Sequence, residues 1–218
     1  PFFLTRVLSL PPGRVGVGMA AVPVAFYVAI SASALPALFP TASRFGGMAL
    51  SYNIAVSLFG GTARDWVGPG TGHDSAGMAR KTALVQEAID LHGRHATDPL
   101  EALRRLGGRE IAAMAGAILA ARMQRVPVVV DGFVATAAAA VLHKLSPDTL
   151  DHCLFGHVSA EPGHQRALQA MGKVPLLALG MRLGEGTGAA LAAAMVQERF
   201  TEAETISTFA AVIDGAIE

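Results

Sequence analysis

Hydrophobic and polar positions are distributed differently in the two parts of this chain. No charged residue occurs from Val15 to Phe39, a run that would be about 37 Å long as a helix, whereas the hydrocarbon core of a bilayer is roughly 30 Å thick. A second uncharged run, richer in glycine, extends from Phe45 to Ala63. The pattern predicts one or two apolar helices that cross a membrane, with residues 15–63 as the membrane contact. A buried core helix is the alternative.

After Arg64, charged residues return at helical spacing and the uncharged runs shorten to the length of strands. Asp98-Pro99 is typical of a helix N-cap followed by a first-turn proline. Helices are predicted at 76–91, 100–106, 109–125, 136–145, 162–171 and 189–195, and strands at 126–130, 153–158 and 174–179. Alternation of this kind predicts an α/β fold with a parallel sheet and helices on both faces.

The change of character at Arg64 predicts two domains, an apolar helical segment at 1–64 and an α/β domain at 65–218. No linker rich in proline, glycine or serine separates them. We therefore interpret the chain as a fusion of two unrelated coding fragments.

The amino-acid composition restricts the kinds of partner that this chain can bind. Hydrophobic residues make up 52% and charged residues 16% of the chain, which is more apolar than an average soluble domain and favours lipid contact for one part. Lys plus Arg and Asp plus Glu balance at 17 each, so no overall field would recruit nucleic acid. The single cysteine, Cys153, excludes an internal disulfide and is compatible with a reducing compartment.

In parallel sheets ligands bind beyond the carboxyl ends of the strands, so the loops after the strands should carry the chemistry. These loops are 131–133, 159–164 and 184–188. The last is the most informative, because Gly184 and Gly186 let the backbone approach a ligand and the following helix start favours an anion. Glu185 lies between them and is either a general base or a carboxylate that complements the helix dipole.

A second glycine-rich turn, 67–72, precedes a helix that carries Lys81. It is either a phosphate cradle or a plain loop followed by a surface lysine, and it lacks the spacing of a Walker loop. Asp131 could bind a ribose hydroxyl or cap its turn. The spacing of His152, His157 and His164 argues against a metal site, and His164 is predicted to line the pocket instead.

Six motifs from residue 67 onward resemble, in order, the nicotinate-nucleotide:dimethylbenzimidazole phosphoribosyltransferase family. They are Val67-Gly68-Pro69-Gly70-Thr71-Gly72 with Ala79-Arg80-Lys81, Asp98-Pro99-Leu100, 106–112, Val130-Asp131-Gly132-Phe133, 155–164 and 182–190. The resemblance covers about 65–208.

The resemblance implies a cytoplasmic, homodimeric enzyme with a Rossmann-like domain that needs no metal and no cofactor. It would transfer the phosphoribosyl group of nicotinate mononucleotide to 5,6-dimethylbenzimidazole in cobalamin lower-ligand synthesis. Glu185 would be the catalytic base. The expected substrate-binding residues are Gly70, Thr71, Gly72, Lys81, Asp131, Ser159, His164, Gly184 and Gly186.

Upstream, Leu-Phe-Pro-Thr at 38–41 with the stretches 44–55 and 59–63 resembles metabolite:proton symporters of the major facilitator superfamily. The phosphoribosyltransferase family carries a Gly-Ile-Gly-Asn-Thr-Thr segment before its glycine turn, and this chain lacks it. The expected sheet is therefore incomplete and one wall of the pocket is missing. The competing hypotheses are a membrane-embedded transporter fragment with an incidental soluble tail and a non-catalytic interaction domain.

Overall fold

The computed structural model describes residues 41–69, 75–96, 98–184 and 186–199. The α-helices are α1 (Thr41–Phe59), α2 (Ala63–Trp66), α3 (Ser75–His92), α4 (Pro99–Ala102), α5 (Gly108–Met123), α6 (Phe133–Leu145), α7 (Pro162–Ala170) and α8 (Thr187–Arg199). The strands are β1 (Val128–Val130), β2 (Cys153–His157) and β3 (Pro175–Leu177), and short 3-10 turns lie at Gly93–His95 and Pro147–Leu150.

The three strands form one parallel sheet in the order β1-β2-β3. Val130 pairs with Phe155, and His157 pairs with Leu177. Val128, Val129 and Val130 are all buried, as expected for a β-branched strand covered on both faces. The predicted α/β class with a parallel sheet and flanking helices is confirmed, and the carboxyl ends of all three strands meet at one edge.

Helix α6 is central to the packing. Residues 135–142 are all buried, and most are alanines. Their small side chains let neighbouring helices approach closely, and α6 contacts α1, α5 and α7 as well as β1. A helix that is apolar on every side is typical of the interior of a protein.

Helix α1 corrects the prediction for the second uncharged run. All residues from Ser51 to Val56 are buried, and α1 packs against α6 and α3 in the core of the α/β fold. An apolar run can serve equally well in lipid or in a protein core, and here the core provides its environment. Among the described residues we find no helix of the length and apolarity that crossing a membrane requires. The first run, Val15 to Phe39, lies outside the described residues.

The helix predicted at 100–106 has a less regular form. Asp98 caps α4 by accepting hydrogen bonds from the N–H groups of Leu100 and Glu101, as its sequence predicts. The chain then passes into a π-helical turn, Leu103–Gly107, and α5 begins at Gly108 with a positive φ of 70°. Gly108 therefore redirects the chain without an intervening loop.

Candidate active site

The end of β1 is joined to the start of α8 by a buried carboxylate. Asp131 is 4% exposed, and its Oδ1 accepts a hydrogen bond of 2.8 Å from the N–H of Ala189. This bond satisfies one of the free N–H groups at a helix N-terminus and places negative charge at the positive end of the helix dipole. The two roles predicted for Asp131 are ribose binding and capping of its own turn. Its hydrogen bond goes to a helix start 58 positions further along the chain, and ribose binding stays a prediction.

The turn before α8 has the geometry that its glycines predict. Gly184 and Gly186 adopt positive φ values of 79° and 75°, which are unfavourable for residues that carry a Cβ atom. Thr187 closes the turn, since its Oγ1 donates to the carbonyl of Gly184 at 2.8 Å. Glu185 lies outside the described residues, so its role as a base stays a prediction.

His164 supports the loop after β2 from within the protein. It is fully buried, its Nδ1 accepts from the N–H of Ser159 at 2.9 Å, and its Nε2 lies 2.9 Å from Thr136 Oγ1. Because Nδ1 accepts a hydrogen bond from the Ser159 N–H, the neutral ring carries its own proton on Nε2 and donates a hydrogen bond to Thr136 Oγ1. Burial, with a smaller contribution from His157, lowers the pKa of His164 to about 3. His164 therefore positions Ser159 and has both nitrogens engaged by protein groups.

A buried polar cluster joins α1 to the glycine turn and to the loop after β2. Tyr52 Oη donates to Glu161 Oε2 at 2.6 Å and accepts from the N–H of Gly68 at 3.4 Å. Lys81 Nζ donates to the carbonyl of Gly68 at 2.6 Å and lies 5.3 Å from the centroid of the Tyr52 ring. Burial lowers the pKa of Lys81, whereas the nearby Glu161 raises it. Lys81 is thus held at the start of the turn that sequence predicts to bind phosphate, while Gly70, Thr71 and Gly72 lie outside the described residues.

His157 is buried beneath the start of α8. Its ring lies against the backbone of Gly188, where a Cβ atom would overlap the imidazole. Within the described part of the chain, neither of its ring nitrogens has a hydrogen-bond partner. Burial lowers the pKa of His157, which favours a neutral ring, and Asp131 opposes that shift.

The histidines considered as metal ligands, and the single cysteine, have surroundings that suit neither a metal site nor a nucleophile. Among the described residues, no three side chains of the His, Cys, Asp and Glu types gather as metal ligands. His152 Nε2 lies 3.0 Å from the carbonyl oxygen of Ile118. Burial raises the pKa of the Cys153 thiol to about 12, which disfavours the thiolate that a nucleophile requires.

Known proteins with similar sequences decide the family. A family model described as Phosphoribosyltransferase matches residues 45–213. Nicotinate-nucleotide-dimethylbenzimidazole phosphoribosyltransferase of Rhizobium leguminosarum bv. trifolii is 62% identical over 165 residues, which cover 76% of this chain and 49% of the relative. The protein of the same name from Brucella anthropi is 66% identical over 152 residues, covering 70% of this chain and 45% of the relative. This chain belongs to the phosphoribosyltransferase family.

Solved structures agree with the phosphoribosyltransferase assignment. The crystal structure of CobT from Thermus thermophilus is 39% identical with a TM-score of 0.64, and the match covers 69% of this chain and 45% of that one. This chain spans about half the length of the curated relatives that it matches.

The match begins at residue 45, upstream of the domain boundary predicted at 64. Residues 45–63 therefore fall within the phosphoribosyltransferase match, and the transporter interpretation does not hold for them. Residues 1–40 lie outside the described part of the chain. Their assignment to a separate transporter-like domain therefore stays a prediction.

Sequence reasoning missed Tyr52, Thr136 and the inward role of Glu161. Tyr52 lies within the uncharged run that we assigned to lipid, so its hydroxyl was not considered as a partner for the α/β loops. Thr136 lies in an alanine-rich helix, and only the fold brings it within 2.9 Å of His164. Glu161 carried a signal, since a carboxylate in the loop after a strand and before a proline lies at the edge where ligands bind.

Proposed function

We propose that this phosphoribosyltransferase transfers the phosphoribosyl group of nicotinate mononucleotide to 5,6-dimethylbenzimidazole, giving α-ribazole 5′-phosphate and nicotinate. A ring nitrogen of the benzimidazole forms a bond to C1′ while the bond from C1′ to the nicotinate nitrogen breaks, with inversion at C1′. The names of the curated relatives support this pair of substrates.

The observation that carries the proposal is the convergence of five separate segments at one edge of the sheet. Asp131 after β1 contacts the start of α8, and the loop after β2 contacts the glycine turn at Gly68. Lys81 from α3 reaches the same turn. A fixed ammonium beside a glycine turn and a glycine-lined helix start together suit a phosphorylated sugar.

The proposed roles of the site residues are those that the family resemblance implies. Lys81 with Gly70, Thr71 and Gly72 binds the 5′-phosphate, helped by Ser159 and Gly186. Glu185 takes the proton that the second benzimidazole nitrogen loses as the first attacks C1′. The positive φ values of Gly184 and Gly186 on either side support a tight approach of this segment to the substrates.

Formation of α-ribazole 5′-phosphate, followed by mass spectrometry, tests the proposal. We expect Glu185→Gln to lower kcat by about 10²- to 10⁴-fold, the usual contribution of a general base. Glu87→Gln, an exposed change of the same type on α3, is the matched control and should match the wild type. Full activity of Glu185→Gln would refute the base assignment, and absence of product from the wild type would refute the activity for this chain.

The proposal extends to a cytoplasmic homodimer, as the family resemblance implies. Analytical ultracentrifugation at micromolar concentration should give the mass of two chains. A sedimenting species with the mass of one chain would contradict the dimer without affecting the assignment of the substrates.

A further inference from the structure

A tyrosine from α1 links the two loops of the candidate site. Tyr52 is fully buried, and its hydroxyl both donates to Glu161 Oε2 and accepts from the N–H of Gly68. The first bond, at 2.6 Å, is short and has a carboxylate acceptor, which makes it a strong type of hydrogen bond. The ring is fixed by Phe133, with centroids 5.1 Å apart. The hydroxyl therefore has one well-defined position.

Glu161 lies so close to the glycine turn that it restricts which residue fits at position 68. It is 7% exposed, it precedes Pro162 at the start of α7, and its carboxylate lies against the backbone of Gly68. A Cβ atom at position 68 would overlap Glu161 Oε2 and lie 2.8 Å from Pro162 Cδ. Glycine is required at position 68 because of this close approach.

Two side chains hold the backbone of Gly68, one at its N–H and one at its carbonyl. Its N–H donates to Tyr52, and its carbonyl accepts from Lys81 Nζ at 2.6 Å. The ammonium also lies over the Tyr52 ring, 5.3 Å from the centroid, where a cation is attracted to the aromatic face. Lys81 has three donor hydrogens, and Gly68 uses one of them. The cluster therefore restricts the ammonium while leaving it the capacity to bind an anion.

We propose that Tyr52 and Glu161 are positioning residues, which hold Gly68 and, through it, the Lys81 ammonium where it binds the 5′-phosphate of the nucleotide substrate. This inference rests on the proposed function, because the phosphate role of Lys81 belongs to it. It adds that α1, a helix remote from the sheet loops in sequence, sets the geometry of phosphate binding. Tyr52 and Glu161 act through Lys81 and do not touch the reacting atoms.

Calorimetric binding of two ligands separates positioning from a general structural role. Nicotinate mononucleotide carries the 5′-phosphate, and nicotinate riboside is the same molecule without it. We expect Tyr52→Phe, which keeps the ring and removes the hydroxyl, to weaken mononucleotide binding about tenfold and to leave riboside binding within about twofold. Glu87→Gln should change neither. Equal weakening of both ligands, or weakening of neither, would overturn the proposal.

A second measurement needs no substrate. Glu161→Gln removes the negative charge beside Lys81, so a larger fraction of the amine should be neutral and reactive. We expect acetylation of Lys81, quantified by mass spectrometry against Lys144 and Lys173 of the same chain, to be about threefold faster than in the wild type.

The two measurements distinguish the inference from the function on which it rests. A wild type that binds neither ligand would refute the proposed function, and with it the phosphate role of Lys81. An unchanged acetylation rate in Glu161→Gln would show that Glu161 does not set the environment of Lys81, and would overturn the positioning role whatever the binding results.

Discussion

At the scale of single residues, the sequence did not reveal which side chains support the loops of the candidate site. Ser159 and His164 are expected to face a ligand, and this stays a prediction. The structure shows that His164 contacts Thr136, which lies 28 positions earlier on α6. The direction of a side chain depends on partners that only the folded chain brings near, and sequence spacing gave no information about this pair.

The buried neutral state of His164 predicts acid sensitivity. Its pKa is about 3 in the folded protein and about 6.5 when unfolded, so the unfolded chain binds the proton first as the pH falls. Stability is therefore fully present above pH 6.5 and is lost progressively from there toward pH 3. We expect this residue to reduce the free energy of unfolding by about 2 kcal/mol between pH 6.5 and 4.5.

Urea denaturation at these two pH values, compared with His164→Asn, measures the effect. The asparagine oxygen can still accept from the Ser159 N–H, but the side chain does not titrate. The substituted protein should be less stable at pH 6.5 and should lose less stability on acidification. An identical loss in both proteins would show that His164 is not the group responsible.

Asp131 gives a second prediction at this scale. Asp131→Ala removes the acceptor for the Ala189 N–H at the start of α8 and should cost about 1–2 kcal/mol, with faster amide exchange at Ala189. Asp131→Asn keeps an oxygen acceptor and should cost less than half as much. The two substitutions would have equal effects if the hydrogen bond to Ala189 contributed nothing.

At the scale of elements, helices and strands from α3 to α8 lie close to where the periodicity placed them. Helix α1 was misassigned for a physical reason. From Phe45 onward its residues are uncharged, and such a stretch is equally suited to lipid and to a protein core, so periodicity alone could not decide between them. The deciding facts are the buried positions 51–56 and the contacts with α6.

Two glycines within helices give opposite predictions for the same substitution. At Gly188 in α8 an added Cβ would overlap the ring of His157, whereas at Gly116 in α5 nothing lies within 4 Å of it. Alanine is favoured over glycine in helices by about 0.5–1 kcal/mol. We expect Gly116→Ala to stabilise the protein by about this amount and Gly188→Ala to destabilise it by about 1–2 kcal/mol, because overpacking outweighs propensity.

Thermal and urea unfolding of the two glycine variants in parallel provide the measurement. Because the substitution is chemically identical, the difference between them reports the contact with His157. Stabilisation by both changes would indicate that the ring moves away at little cost, and would contradict the close packing of Gly188 on His157.

At the scale of the whole molecule, the candidate site depends on α1 as much as on the sheet. The sequence predicted that three loops would meet at the carboxyl edge, because parallel strands impose this. It could not predict that Tyr52 would reach Glu161, which lies 109 positions further along the chain. Contacts of such long range are set by the packing of α1 on α6. They cannot be predicted from the hydrophobic and polar positions of the uncharged run.

If α1 belongs to the same cooperative unit as the sheet, a cavity made in α1 should destabilise the entire fold. Ile54 is fully buried in the cluster that includes Leu106, Val130 and Val141. Ile54→Ala should therefore cost about 3 kcal/mol. The exposed change Leu119→Ala on α5 is the control and should cost less than about 1 kcal/mol.

Two spectroscopic probes of urea unfolding decide whether α1 and the sheet unfold together. The single tryptophan, Trp66, stacks on Phe59 and reports on this region by fluorescence, while far-UV circular dichroism reports on all helices. In the Ile54→Ala protein both transitions should shift together to lower urea concentration, because one cooperative unit has one transition. A shift in fluorescence alone would mean that the region around α1 and Trp66 unfolds separately from the sheet.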